Sequence, residues 1–172
     1  MEVYTTDRQV RLSLNGRVIG TKKVPADCRV IFNVLYEAGE LKAEALTSAG
    51  QVTGTDCLTT ASAETVLRVE AEKPVCHPGE MVYLRIRYTD GQGEVKPLER
   101  HRVTVSAENA AVVGTANGCT FFEGNYAQDT VPTYFGEAQA VVCAGGAGTV
   151  RVSVTDGENT AAAEIVCEGT QA

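Results

Sequence analysis

The chain contains no tryptophan, and its 172 residues include only six tyrosines and four phenylalanines. Sugar rings dock by laying their apolar C–H faces on aromatic side chains, so this scarcity leaves a poor carbohydrate platform. Only two histidines occur, His77 and His101, in separate turn-rich segments. A zinc-type centre needs clustered ligands, and the adjacent pair Cys76-His77 points its side chains apart on an extended backbone. No apolar run of about 18 residues is present, which excludes a membrane-spanning helix. Met1-Glu2-Val3-Tyr4 lacks the basic and apolar segments of a secretory signal. The net charge is −7, and the adjacent basic residues are confined to Lys22-Lys23 and Arg100-His101-Arg102. Both read as solvated strand ends, so a phosphate-binding surface, and with it nucleic acid, is not expected. No Gly-x-Ser-x-Gly elbow occurs, and no long window shows a 3.6-residue apolar period.

Six cysteines are present, Cys28, Cys57, Cys76, Cys119, Cys143 and Cys167, with no Cys-x-x-Cys among them. A chain of this length builds a core without staples, so they read as small apolar residues kept as thiols. Unpaired cysteines favour the cytoplasm, with a secreted or periplasmic location left open. A thiol titration in denaturant, without prior reduction, is expected to find all six.

Alternation is what the sequence has in abundance. Val10, Leu12 and Leu14 alternate with Arg11 and Ser13, the period-two mark of a half-buried strand. Asn15-Gly16 supplies the positive φ angles of a tight hairpin turn, and Val18 and Ile19 resume the pattern. A second hairpin is expected, with Arg29 to Tyr36 as one strand, Glu37 to Glu40 as the turn and Leu41 to Leu46 as the return. Together these read as a β-meander.

The segments Val3-Tyr4-Thr5, Val10 to Gly20 (VRLSLNGRVIG) and Tyr36 to Ala43 (YEAGELKA) resemble the small β-domain that follows the catalytic barrel in family 2 glycoside hydrolases of the β-galactosidase type. The resemblance covers most of residues 1 to 60.

Thr59-Thr60-Ala61-Ser62-Ala63 then interrupts the periodicity as a linker. Five residues span at most about 17 Å, so the flanking units are expected to touch or nearly touch. The expected fold is all-β, two tandem immunoglobulin-like β-sandwich domains over residues 1–62 and 63–172. In the second, Leu67, Val69 and Ala71 form one inward face. Val82, Leu84, Ile86 and Tyr88 form another, followed by Val103 and Val105, Ala111 to Val113, Gly136 to Cys143, Val150 to Val154 and Ala162 to Cys167. Gly145 to Gly148 reads as a hairpin turn, since no helix follows it to make a phosphate cradle. Gly118 to Gly136 is the least regular stretch, and Phe121, Phe122 and Tyr126 are expected to anchor it. Ala116 to Tyr126 and Gly136-Glu137-Ala138 resemble the sandwich that ends many of the same hydrolases, a pattern shared with the immunoglobulin-like modules of bacterial adhesins.

Retaining glycosidases of family 2 use two glutamates about 5 Å apart. The family carries them on a (β/α)8 barrel of about 250 residues, for which this chain has neither length nor helices. Pairs such as Glu70 and Glu72 fall on the solvent side of a strand. Calcium at Asp90 or Asp156 lacks the dense acidic spacing of a calcium loop. No catalytic residue, metal or cofactor is therefore expected. The resemblance implies a non-catalytic C-terminal accessory region whose partner is the catalytic barrel of a β-galactosidase-like parent. Two alternatives stand beside it: a carbohydrate-binding module using Tyr126, Tyr134 or Phe135, and an immunoglobulin-like spacer of a cell-surface adhesin. Weak self-association through an exposed edge at Glu2 to Thr6 is also expected.

Overall fold

The computed structural model describes residues 1–121 and 124–169, all in strands, turns and loops. The chain divides into two compact units, Met1–Thr60 and Ala61–Ala172.

The first unit contains β1 (Glu2–Tyr4), β2 (Gln9–Leu14), β3 (Arg17–Lys23), β4 (Arg29–Ile31), β5 (Glu40–Leu46) and β6 (Val52–Thr59). They form a four-stranded sheet in the order β3-β2-β5-β6 and a two-stranded sheet of β1 with β4. Val10 and Leu12 of β2 meet Val30 and Phe32 in a small core, flanked by Val3, Val24 and Leu41. The β2–β3 hairpin turns on Asn15 and Gly16, at φ 50° and 75°. These left-handed angles are tolerated by Asn and natural to Gly.

The second hairpin expected from the sequence does not form, so the segment is not a meander. β4 is three residues long and pairs with β1, while β5 pairs with β2 and β6. The chain between Phe32 and Gly39 crosses from one sheet to the other. Period-two alternation assigns a residue to a face and says nothing of which strand lies beside it. The strand at Glu2 to Tyr4 is covered on one side by β4 and keeps its other side unpaired within its sheet.

The second unit contains β7 (Val66–Ala71), β8 (Val75–Cys76), β9 (Met81–Thr89), β10 (Arg102–Glu108), β11 (Ala110–Ala116), β12 (Thr130–Pro132), β13 (Glu137–Ala144), β14 (Gly148–Thr155) and β15 (Thr160–Cys167). One sheet runs β11-β13-β9-β7 and the other β12-β10-β14-β15-β8. Val82, Leu84, Ile86 and Tyr88 of β9, with Ala140 and Val142 of β13, pack on Val103 and Val105, Val150, Val152 and Val154, and Ile165 of the opposite sheet. This is the sandwich that the alternation specifies.

Three details depart from the sequence reading. Gly145 to Gly148 is a crossover between the sheets, because β13 and β14 belong to different ones. Asn109, at φ 54°, holds it through Nδ2 to the Gly146 carbonyl at 2.8 Å and Oδ1 from the Gly146 N–H at 3.1 Å. The irregular stretch contains β12, which pairs with β10 at the edge of its sheet. Phe121 is 87% exposed and anchors nothing, and Phe122 lies outside the described residues.

Candidate functional site

The first unit leaves apolar surface uncovered. Beyond β4 the chain reads Phe32-Asn33-Val34-Leu35-Tyr36. Phe32 is buried under the Lys22 ammonium, which sits 5.1 Å from the ring centre, whereas Leu35 is 90% and Tyr36 84% exposed. A groove of about 290 Å³ runs between Met1, Val34, Leu35, Tyr36, Leu41 and Leu58. A second, of about 300 Å³, shares Met1, Leu41 and Leu58 and continues past Val3, Tyr4 and Ala43. Isolated exposed apolar residues are ordinary, but a continuous apolar groove marks an interaction surface.

One end of this groove is fixed by a polar lock. Asn15 Oδ1 accepts the Glu40 N–H at 2.9 Å, and its Nδ2 donates to the Ala38 carbonyl and to Glu37 Oε1, both at 3.0 Å. The Asn15 N–H also donates to the Glu40 carbonyl at 2.8 Å. Gly39, at φ 135°, lets the chain pass so close that a Cβ there would lie 1.8 Å from Asn15 Oδ1. The Leu-Asn-Gly turn and the Tyr-Glu-x-Gly-Glu-Leu segment, about 20 residues apart in sequence, are thus one structural feature. The lock holds Glu37 to Glu40, the residues that directly follow Leu35 and Tyr36. Sequence reading placed those two residues at a strand end. The signal that could have shown otherwise is the run Val34-Leu35-Tyr36, three apolar residues that break alternation.

In the second unit, Tyr134 and Phe135 pack edge to face, with ring centres 4.5 Å apart, and both are exposed. Phe135 at φ 51° and Gly136 at φ 76° form a tight turn that the Tyr134 and Glu137 backbones close. Tyr126 belongs to a different surface, a shallow groove of about 310 Å³ with Val113, Ala127 and Val141. Its carbonyl accepts the Thr115 N–H at 2.9 Å, so the segment follows β11. The structure therefore brings together Tyr134 and Phe135 and sets Tyr126 on the β11 side.

Two acidic residues of the second unit, Asp90 and Asp156, cap turns. Buried Asp90 accepts N–H donors from Ser62 at 2.8 Å, Gln92 at 2.9 Å and Glu94 at 3.0 Å, and these hold its carboxyl below the usual range despite burial. Tyr88, fully buried, donates its hydroxyl to Asp156 Oδ2 at 2.6 Å. Burial and this bond push the Tyr88 phenol well above its ordinary value. Burial also acts to raise Asp156, but the bonds from Tyr88, Asn159 and Glu158 outweigh it and hold Asp156 well below the carboxylate range. Glu70 and Glu72 are exposed, and Glu70 pairs with Arg87. His101 stacks on Tyr88 and meets Glu99, while His77 Nδ1 lies 3.2 Å from the Glu168 carbonyl. Among the described residues, no group of three or more His, Cys, Asp or Glu side chains is placed to hold a metal ion.

Residues 1–54 match a domain of unknown function (DUF4982), and residues 66–165 match the glycoside hydrolase family 2 C-terminal domain 5. No curated protein matches the chain. Among solved structures, a family 2 glycosyl hydrolase from Bacteroides cellulosilyticus DSM 14838 is 25% identical at a TM-score of 0.90, over 96% of this chain and 24% of that one. A β-glycosidase from Bacteroides vulgatus shares the fold at 20% identity and a TM-score of 0.85, over 96% of this chain and 22% of that one. So does a β-glucuronidase from glycoside hydrolase family 2, at 17% identity and a TM-score of 0.83, over 99% of this chain and 18% of that one. This chain spans about a quarter or less of the solved chains it resembles. With its second unit matched along nearly its whole length, and more than half of the chain with it, the chain belongs to the C-terminal domains of family 2 glycoside hydrolases.

Proposed function

We propose that this chain is a non-catalytic accessory region of a family 2 glycoside hydrolase, and that it docks on the catalytic barrel through the apolar groove of the first unit. The observation that carries this reading is the groove itself, with Leu35 and Tyr36 exposed along it and the Asn15 lock fixing the residues that follow them. Family membership supports a barrel as that partner, since a solved relative at 25% identity carries this region as 24% of a longer chain. The parent enzyme is assigned hydrolysis of O-glycosyl bonds of the β-galactosidase-like kind, on the two motifs that build the lock. Weak self-association through the unpaired side of β1 is part of the same proposal, and sedimentation over a range of concentrations tests it. A concentration-independent monomer would remove it.

Assay of the isolated chain with chromogenic galactosides and glucuronides tests the non-catalytic assignment. No turnover is expected, and reproducible turnover that copurifies with the chain would overturn it. Family membership weighs against the adhesin-type spacer, and the native reading frame tests that choice: a barrel upstream supports the accessory reading, and further sandwich modules oppose it.

Carbohydrate contact is a second reading, favoured by the exposed Tyr134–Phe135 pair. Isothermal titration with galactosides, glucuronides and plant polysaccharides tests it, and absence of heat across that panel would retire it.

A further inference from the structure

Cys76 ends β8 and Cys167 ends β15, and the two strands run parallel with Cys167 opposite Cys76 in the register. Register partners project to the same face of a sheet, and these two are 1% and 2% exposed, so both thiols enter the core side by side. The strands are held at sheet spacing by the Val166 N–H to the Pro74 carbonyl and the Glu168 N–H to the Cys76 carbonyl, both 2.9 Å. Neighbouring strands lie about 4.8 Å apart, within the range of roughly 4.4–6.8 Å that disulfides span between Cα atoms. The other cysteines stand on other elements. Cys28 and Cys57 belong to the first unit, Cys119 to the irregular stretch, and Cys143 to β13, where its thiol faces the Gly79 carbonyl.

We propose that Cys76 and Cys167 are a redox-responsive pair, which closes to a disulfide by exchange with a low-molecular-weight disulfide and thereby staples β8 to β15. One cysteine thiolate attacks the small disulfide, forming a mixed disulfide and releasing one small thiol. The second cysteine thiolate then displaces the other small thiol and completes the Cys76–Cys167 bond. Two protein thiols lose two electrons and two protons, and one small disulfide is reduced to two thiols. Access comes from the shortness of β8, whose two residues at the sheet edge open locally without unfolding the sandwich. Burial and the hydrogen bond with Cys167 push the Cys76 thiol up, so Cys76 stays protonated until β8 opens. The resulting loop encloses β9 to β15, nearly the whole second unit, and a staple across so long a loop strongly restricts the unfolded chain. In a reducing compartment the pair remains two core thiols.

The test uses the full chain with Cys28, Cys57, Cys119 and Cys143 replaced by Ser, incubated with oxidised glutathione. Titratable thiols are expected to fall from two to zero, with an intact mass lower by two hydrogens and no glutathione adduct. The thermal midpoint should rise by about 10 °C or more and fall back on reduction. Adding Cys167→Ser should leave Cys76 as a single glutathione adduct. The unsubstituted chain, oxidised in the same way, should yield one cross-linked peptide pair joining Cys76 to Cys167. Two surviving thiols, two glutathione adducts, or a cross-link that pairs either cysteine with another partner would overturn the proposal.

Discussion

Two residues determine more local geometry than their neighbours. Asn15 accepts and donates across to Glu37, Ala38 and Glu40, and Gly39 leaves room for it. Asn15→Ala should destabilise the first unit by about 1–2 kcal/mol, the net worth of the bonds it makes. Gly39→Ala should cost about 1–3 kcal/mol, because its φ of 135° suits only Gly and the added Cβ displaces Asn15. Urea unfolding of both variants and the double variant checks this. The double variant should fall short of the sum, since both changes break one lock, and strict additivity would contradict it. In the second unit, Tyr88 and Asp156 make a pH-dependent pair. Asp156 lies below the carboxylate range when folded and returns to about 4 when unfolded, so its stabilisation is full above about pH 4 and is lost on acidification. Tyr88 is raised when folded, so its contribution is full below about pH 10 and is lost as the solution becomes more alkaline. Tyr88→Phe should cost about 1–3 kcal/mol at neutral pH and weaken both dependences, as unfolding midpoints from pH 3 to pH 11 will show.

Among the elements, the strands of the second unit were legible because their alternation is long and unbroken. Val82, Leu84, Ile86 and Tyr88 are all fully buried, and so are Val150, Val152 and Val154. Ile86→Ala in this core should cost about 2–5 kcal/mol, measurable as a drop in thermal midpoint. A change below 1 kcal/mol would mean that the sandwich is not packed around β9. What the sequence left unread was pairing. β4 is too short to declare its partner, and the apolar run Val34 to Tyr36 imitates a longer strand while serving as a crossing. Gly145 to Gly148 looked like a hairpin turn because glycine-rich breaks are common to turns and crossovers alike, and the Asn109 contacts that distinguish them lie far away in sequence. β12 escaped because three residues carry too little alternation to register. Of the candidate site, Tyr134 and Phe135 were legible as adjacent aromatics. The groove was not, since a surface built from Met1, Leu41, Leu58 and the 34–36 run has no local sequence signature.

At the scale of the whole chain, the second unit belongs to the C-terminal domains of family 2 glycoside hydrolases, and its Asp90, Asp156 and Glu70 are engaged in turn caps and a surface pair. Beside its small core the first unit exposes Leu35 and Tyr36 along an apolar groove, a surface of the kind that marks interaction sites. The central claim is therefore docking, and it is tested most directly by titrating this chain against the separately produced catalytic barrel of its own parent polypeptide. Saturable binding is expected, weakened at least about tenfold when Leu35 and Tyr36 are both replaced by Asp, the loss that follows when apolar anchors are removed from an interface. Absence of binding, or equal binding by the chain and its Leu35→Asp, Tyr36→Asp variant, would contradict the claim.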